Sequence, residues 1–239
     1  MNPEPLFEEL DYRQTPMGEL VLRRRRLLAL KGMTVYEVKL GEQYLMSSLF
    51  YASEQALADI GLGGLGGCGW DVAIGGLGLG YTAAAALKYE QVKRLVVIEA
   101  FRPVIDWHTR EMVPNGQVLN NDPRCVFYQA DFFALARGSG FDPEAPGHRF
   151  DAILLDIDHS PGSLLDAGHG DFYTAAGIRR VKSFLKPGGV FALWSNDPPR
   201  EEFIRTLSSV FDRAEGRTVE FENPLQQSSS TNGIYVARC

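Results

Sequence analysis

The chain has 239 residues, 45% of them hydrophobic, with 24 Lys and Arg against 30 Asp and Glu and a net charge of −6. That is material for one domain with a large core plus a small appendage. The acidic balance argues against a nucleic-acid surface as the main role, and no apolar run approaches the roughly 20 residues of a membrane span.

Residues 1–60 differ from the rest. The first nine are acidic and hold no apolar segment, so no signal peptide and a cytoplasmic location are expected. Leu20-Val-Leu22 and Leu27–Leu30 flank Arg23–Arg26. After the turn at Lys31-Gly32, Thr34–Leu40 alternates with strand period, which predicts a small β-meander. Leu49, Ala52, Ala56 and Leu57 have helical spacing and predict a helix over 49–60. Six glycines between Gly61 and Gly69 read as a flexible link spanning 61–70.

From Asp71 on, apolar runs and helical patterns alternate. Strands are predicted near 71–75, 94–99, 125–129, 150–156 and 190–195, and helices near 81–89, 103–112, 172–185 and 200–211. Lys186-Pro-Gly-Gly189 is expected to stop the third helix. Arg217–Phe221 and Gly233–Arg238 read as two closing strands joined by a polar loop over 226–231. The fold class is α/β: a mostly parallel sheet over 71–239 with a C-terminal antiparallel hairpin, preceded by the N-terminal β-rich region with its helix.

The chemistry concentrates at strand ends. The strand from Asp71 runs into glycines at 75, 76, 78 and 80. Such a turn lets the backbone approach a nucleotide-like ligand closely, and Gly76, Gly78 and Gly80 are assigned to it. Against the nicotinamide pattern Gly76-x-Gly78 fits, but Tyr81 stands where a small residue is expected. Glu99 ends the next strand, nineteen residues after Gly80, where a carboxylate accepts from ribose hydroxyls. Asp131 follows the third strand and could accept from an adenine amino group, with Phe132 beside the ring. Asp156-Ile-Asp158-His159 follows an almost wholly apolar strand. A carboxylate there can hold a cationic amine and take its proton as it attacks an alkyl sulfonium. Asp156 and Asp158 are the candidate catalytic pair, with His159 able to assist. Each feature also has a plain structural reading: a tight turn, solvated loop acids, helix caps. The three cysteines, Cys68, Cys125 and Cys239, are scattered like reduced thiols, and His159 with His169 lack a third ligand, so no metal is expected.

The glycine turn, Glu99, Asp131, the Asp156 loop, Asp171-Phe-Tyr173 and Leu185-Lys-Pro-Gly-Gly-Val190 come in the order seen in spermidine synthases. Over roughly residues 34 to 210 the chain resembles that family, which lies within the class I S-adenosylmethionine-dependent methyltransferase superfamily. The resemblance implies a seven-stranded sheet, a donor that is S-adenosylmethionine or its decarboxylated form, a small-molecule acceptor such as an amine, and a homodimer. Gln43 and Glu54 match a family spacing of eleven residues, which implies that Gln43 touches the sulfonium nucleoside.

Departures accompany the match. The family's Tyr-His pair, which helps hold the amine, is Ala52-Ser53 here. The family's acid that holds the donor's ammonium is replaced by Gly78, and the family's second loop acid is displaced by two positions to Asp158. The loss at position 78 tilts the expectation toward intact S-adenosylmethionine alkylating a small molecule. A true aminopropyltransferase with a rebuilt amine pocket and a non-catalytic nucleoside-binding scaffold are the alternatives.

Overall fold

The computed structural model describes residues 5–239. Four antiparallel strands come first, in spatial order β1 (Phe7–Thr15), β2 (Gly18–Leu27), β3 (Met33–Leu40) and β4 (Gln43–Ser47). The sequence reading does not include β1, because none of its nine residues is fully buried and it carries no apolar period. The arginine run lies in β2. Glu37 pairs with Arg23 at 2.6 Å and Arg25 at 3.4 Å, while Glu8 takes Arg24 at 2.6 Å. Alternate arginines thus meet acids on the two flanking strands, as the pleat requires.

The remaining elements are α1 (Ala52–Leu62), β5 (Trp70–Gly75), α2 (Tyr81–Leu87), β6 (Val92–Glu99), α3 (Arg102–Thr109), α4 (Gly116–Asn121), β7 (Cys125–Gln129), α5 (Phe132–Arg137), β8 (Phe150–Leu155), α6 (Ala175–Ser183), β9 (Leu185–Ser195), α7 (Glu201–Ser208), β10 (Arg213–Asn223) and β11 (Ser228–Arg238). The seven-stranded sheet has the order β10-β11-β9-β8-β5-β6-β7, parallel from β9 to β7 and antiparallel in the closing hairpin.

The central strands read as continuous apolar runs because both faces are covered. Period-two alternation divides them. Val72, Ile74, Leu95, Val97, Ala152 and Leu154 join one core. Ala73, Val96, Ile98, Ile153 and Leu155 join the other. The first core also takes Leu20, Leu22, Val38 and Leu40 of the meander with α1 to α4; the second takes α5, α6 and α7. The meander is tied down further by Trp107 of α3, whose indole N–H donates to Asp11 at 2.7 Å.

Several predicted boundaries move. The helix expected over 49–60 runs from Ala52 to Leu62 and buries Ser53, Leu57, Ala58, Gly61 and Leu62, whereas Ala52 is exposed. Gly61 therefore sits inside the helix. A Cβ on it would stand 2.6 Å from Leu154, so α1 lies close against the large sheet. α3 is shorter than expected because Glu111 turns left-handed just beyond it. Asp131 caps the short α5, which the sequence reading missed. Thr174 caps α6 and splits the expected 172–185 helix from a preceding 3-10 turn. Lys186-Pro-Gly-Gly189 already belongs to β9. The hairpin strands are each eleven residues long, so the polar stretch after residue 227 is strand rather than loop. No helix among the described residues is long and apolar enough to cross a membrane.

Candidate active site

Strand order reverses on either side of β5, with β6 on one side and β8 on the other. Open α/β sheets leave a crevice at such a point, beyond the C-terminal ends of the strands. A cleft of about 1030 Å³ opens there, large enough for a nucleoside with a side chain. Gly76, Gly78, Gly80, Glu99, Asp131, Phe132 and Asp156 all line it, as do Met46 of β4, Glu54 of α1, Trp194 of β9 and Asn232 of β11.

The glycine turn is shaped by its neighbours. Gly76 has φ +93° and packs so tightly that a Cβ would lie 2.0 Å from the carbonyl oxygen of Asp156. Gly78 has φ +50° and faces the Met46 sulfur, 2.7 Å from where its Cβ would be. Its carbonyl accepts from Nε2 of His108, a fully buried imidazole that burial pushes down to about 4. Glu99 buttresses the same turn. Its carboxylate accepts the N–H groups of Leu77 at 3.0 Å and Phe101 at 2.8 Å. Burial pushes Glu99 upward, against the pull of those N–H groups.

Asp131 spends one oxygen on α5, accepting from Phe133 and Ala134, and no hydrogen bond from the described residues engages its other oxygen. Phe132 is 2% exposed. Its ring stacks on Phe141 and lies against Gly75, where a Cβ would approach to 2.5 Å. It is part of the cleft floor rather than an open face for a base.

Asp156 and Glu54 both line the cleft, and both lie beside Thr82 near the N-terminus of α2. Thr82 donates its hydroxyl to Asp156 at 2.8 Å. Both acids are half-buried: they touch the open cleft, yet protein surrounds most of each. Burial first, and then the Asp156 charge, push Glu54 up to about 8; burial pushes Asp156 up to about 6 against the Thr82 bond. Two acids in this position titrate as a pair.

No family model matches the sequence. Among curated proteins, polyamine aminopropyltransferase 2 of Pseudomonas aeruginosa is 29% identical over 150 residues, 60% of this chain and 40% of that protein. The polyamine aminopropyltransferase of Nitrosomonas europaea is 33% identical, covering 58% and 39%. Putrescine N-methyltransferase 2 of Nicotiana attenuata is 27% identical, covering 58% and 35%. The chain thus spans less than half the length of the curated relatives it matches. In structure it superposes on spermidine synthase in complex with the transition-state analogue AdoDATO, with a TM-score of 0.71 at 19% identity, over 96% of this chain and 73% of that one. Spermidine synthase from Thermotoga maritima gives 0.68 at 19% identity, over 96% and 72%. The chain thus has weak sequence similarity to polyamine aminopropyltransferases and putrescine N-methyltransferases, and it shares the fold of spermidine synthase.

Two expected site residues stand elsewhere in this chain. Gln43 is exposed at the turn of the β3–β4 hairpin, paired with Leu40, and does not line the cleft. Met46, three residues on, is the one that meets the glycine turn. Asp158 is 3% exposed and accepts from the Leu165 N–H at 2.8 Å, His169 Nδ1 at 2.8 Å and the Tyr173 hydroxyl at 2.7 Å. It is saturated by its own chain and staples the loop that leads to α6. His159 and His169 do line the cleft, the latter stacked on Phe133 at 3.8 Å. Among the described residues no group of three His, Cys, Asp or Glu is arranged to hold a metal ion. The sequence reading placed Ser53 as a lost amine contact and gave Trp194 and Asn232 no role. Nothing in the sequence marks them, because they meet only when α1 is laid across β9 and β11.

Proposed function

We propose that this chain binds an S-adenosylmethionine-type sulfonium nucleoside in the cleft and transfers a carbon group from its sulfur to a small amine. The observation that carries the reading is that Glu54 and Asp156 line the same cleft as the glycine turn, two acids with no cation among the described residues acting on either. Such a pair suits a positively charged guest. Glu99 would hold the ribose, and the free oxygen of Asp131 would take the adenine amino group. The amine nitrogen attacks the carbon next to the sulfonium; the N–C bond forms as the C–S bond breaks, and the electron pair stays on sulfur as a neutral thioether. Asp156 takes the proton that the nitrogen sheds. The chain's main contribution would be to hold the two reactants in line and exclude water.

Aminopropyl transfer from decarboxylated S-adenosylmethionine is the first reading. It draws support from the aminopropyltransferases among the relatives, with Glu54 and Asp156 as the rebuilt amine pocket. Methyl transfer from the intact donor is the second reading, favoured by one observation: Met46 fills the space in which an acid at position 78 would reach the donor's ammonium. The cytoplasmic location and the homodimer remain parts of the proposal.

Thermal-shift titration with S-adenosylmethionine, its decarboxylated form and methylthioadenosine tests this, since a ligand of the folded state raises the melting temperature. The larger shift identifies the donor. No shift with any of the three removes the sulfonium-nucleoside reading. Asp156→Asn is expected to lower turnover far more than donor affinity; unchanged turnover removes Asp156 from the chemistry.

A further inference from the structure

The hydroxyl of Ser53 counts protons. Trp194 Nε1–H donates to Ser53 Oγ at 2.9 Å. The Asn232 amide donates through Nδ2 to the carbonyl of Asn196 at 3.0 Å, which turns its Oδ1 toward Ser53 Oγ, also at 3.0 Å. An amide oxygen has no proton to give, so the single Ser53 proton goes to Asn232. The third contact, Ser53 Oγ to Glu54 Oε2 at 2.9 Å, then closes only if Glu54 is the donor. The network is complete with a protonated Glu54. With an ionised one, two lone-pair-bearing oxygens are left facing each other at hydrogen-bond distance.

Asp156 has the opposite environment. Thr82 Oγ1 lies 2.8 Å from its Oδ2 and 3.3 Å from the Glu54 carbonyl, so the threonine proton goes to Asp156, as suits a carboxylate. The elements packed on α1 add little other charge. Besides Thr82, α2 brings the Tyr81 phenol, which burial pushes up to about 12 and so keeps neutral. β9 brings Trp194 and β11 brings Asn232, both neutral. β10 turns Phe221 to the cleft and leaves Glu220 and Glu222 exposed. Arg238 reaches the far end of α1, at the Ile60 carbonyl, and His159 lines the cleft on the loop after Asp156.

We propose that Glu54 and Asp156 share one proton in the ligand-free cleft, carried by Glu54, and that entry of a cationic ligand expels it. The ligand's positive charge rests on the function proposed above; the shared proton does not. The step balances simply: the Glu54 carboxyl becomes a carboxylate, its proton passes to buffer, and the cation enters with its own charge unchanged.

Two measurements test the two halves. The infrared spectrum of the ligand-free protein at pH 7 should contain the carbonyl band of a protonated carboxyl that disappears in Glu54→Gln; identical spectra in that region overturn the shared proton. Calorimetric titration with S-adenosylmethionine in phosphate and in Tris should give heats that differ in proportion to buffer ionisation, corresponding to release of up to one proton. Methylthioadenosine, which lacks the positive charge, should give none, and Glu54→Gln should abolish the release. Binding of S-adenosylmethionine without buffer dependence overturns the expulsion. If S-adenosylmethionine, its decarboxylated form and putrescine all fail to bind, expulsion falls together with the proposed function, and the infrared result still decides the shared proton.

Discussion

The sulfur of Met46 lies against Gly78, 2.7 Å from where a Cβ would stand, so the N-terminal meander closes over the turn position at which spermidine synthases carry an acid. Gly78→Asp should therefore cost stability twice, through its left-handed backbone and through displacement of Met46, by about 1 to 3 kcal/mol. Adding Met46→Ala should recover part of that loss, a non-additivity readable in a double-mutant cycle from urea unfolding. The double variant should also shift donor preference toward decarboxylated S-adenosylmethionine. Strict additivity would show that the two residues do not share the space.

Gly76 has no such give. The atom a Cβ would strike is the backbone oxygen of Asp156, at 2.0 Å, and φ is +93°. Gly76→Ala forces two strand ends apart and should cost at least about 3 kcal/mol. Nucleoside binding should go with it. An alanine variant that unfolds at the wild-type urea concentration would refute the close approach.

Asp158 and Asp156 should separate cleanly by experiment. Asp158 is buried with three donors; Asp158→Ala orphans them and should cost about 3 kcal/mol. Limited proteolysis should then cut within residues 159–172 faster than in the wild type. Asp156→Asn should leave the melting temperature nearly unchanged while turnover falls. A stable Asp158→Ala protein without turnover would return Asp158 to the chemistry.

Stability should fall as pH rises toward 8. Glu54 has its folded pKa raised from 4.5 to about 8 and Asp156 from 3.8 to about 6. Between the lower and upper values the native state holds more protons than the unfolded chain. The stabilisation these groups give is thus complete below their unfolded values and is lost as pH climbs through the folded ones. His108, lowered from 6.5 to about 4, acts in the opposite sense, adding stability as pH rises across that interval. The two trends overlap below 6.5, so the Glu54 effect is clearest between 6.5 and 8. There Glu54→Gln should flatten the decline and become more stable than wild type. Parallel melting curves for the two proteins across that window would contradict the assignment.

How much was legible follows from how local each signal is. The glycine turn, Glu99, Asp131 and Asp156 each sit where an apolar run stops, and a parallel sheet carries all its strand ends of one sense to one edge. Knowing the strands is then nearly knowing the cleft. Asp158 follows Asp156 by two residues and looks equivalent on paper, yet the chain turns it inward to His169 and Tyr173. Gln43 matched by spacing alone, but the β3–β4 hairpin turns it to solvent and presents Met46 instead.

The order of elements, the glycine backbone and the acids at strand ends were determined by the sequence itself, since each depends on neighbours within a few positions: period-two burial, left-handed turns, a strand terminus. What the tertiary structure decided is charge state and company. Ser53, Glu54, Thr82, Asp156, Trp194 and Asn232 are scattered over 180 residues of chain, and they become one hydrogen-bonded group only where α1 crosses the sheet. A carboxyl's proton is set by what surrounds it within a few ångströms, and those surroundings exist only in the folded chain.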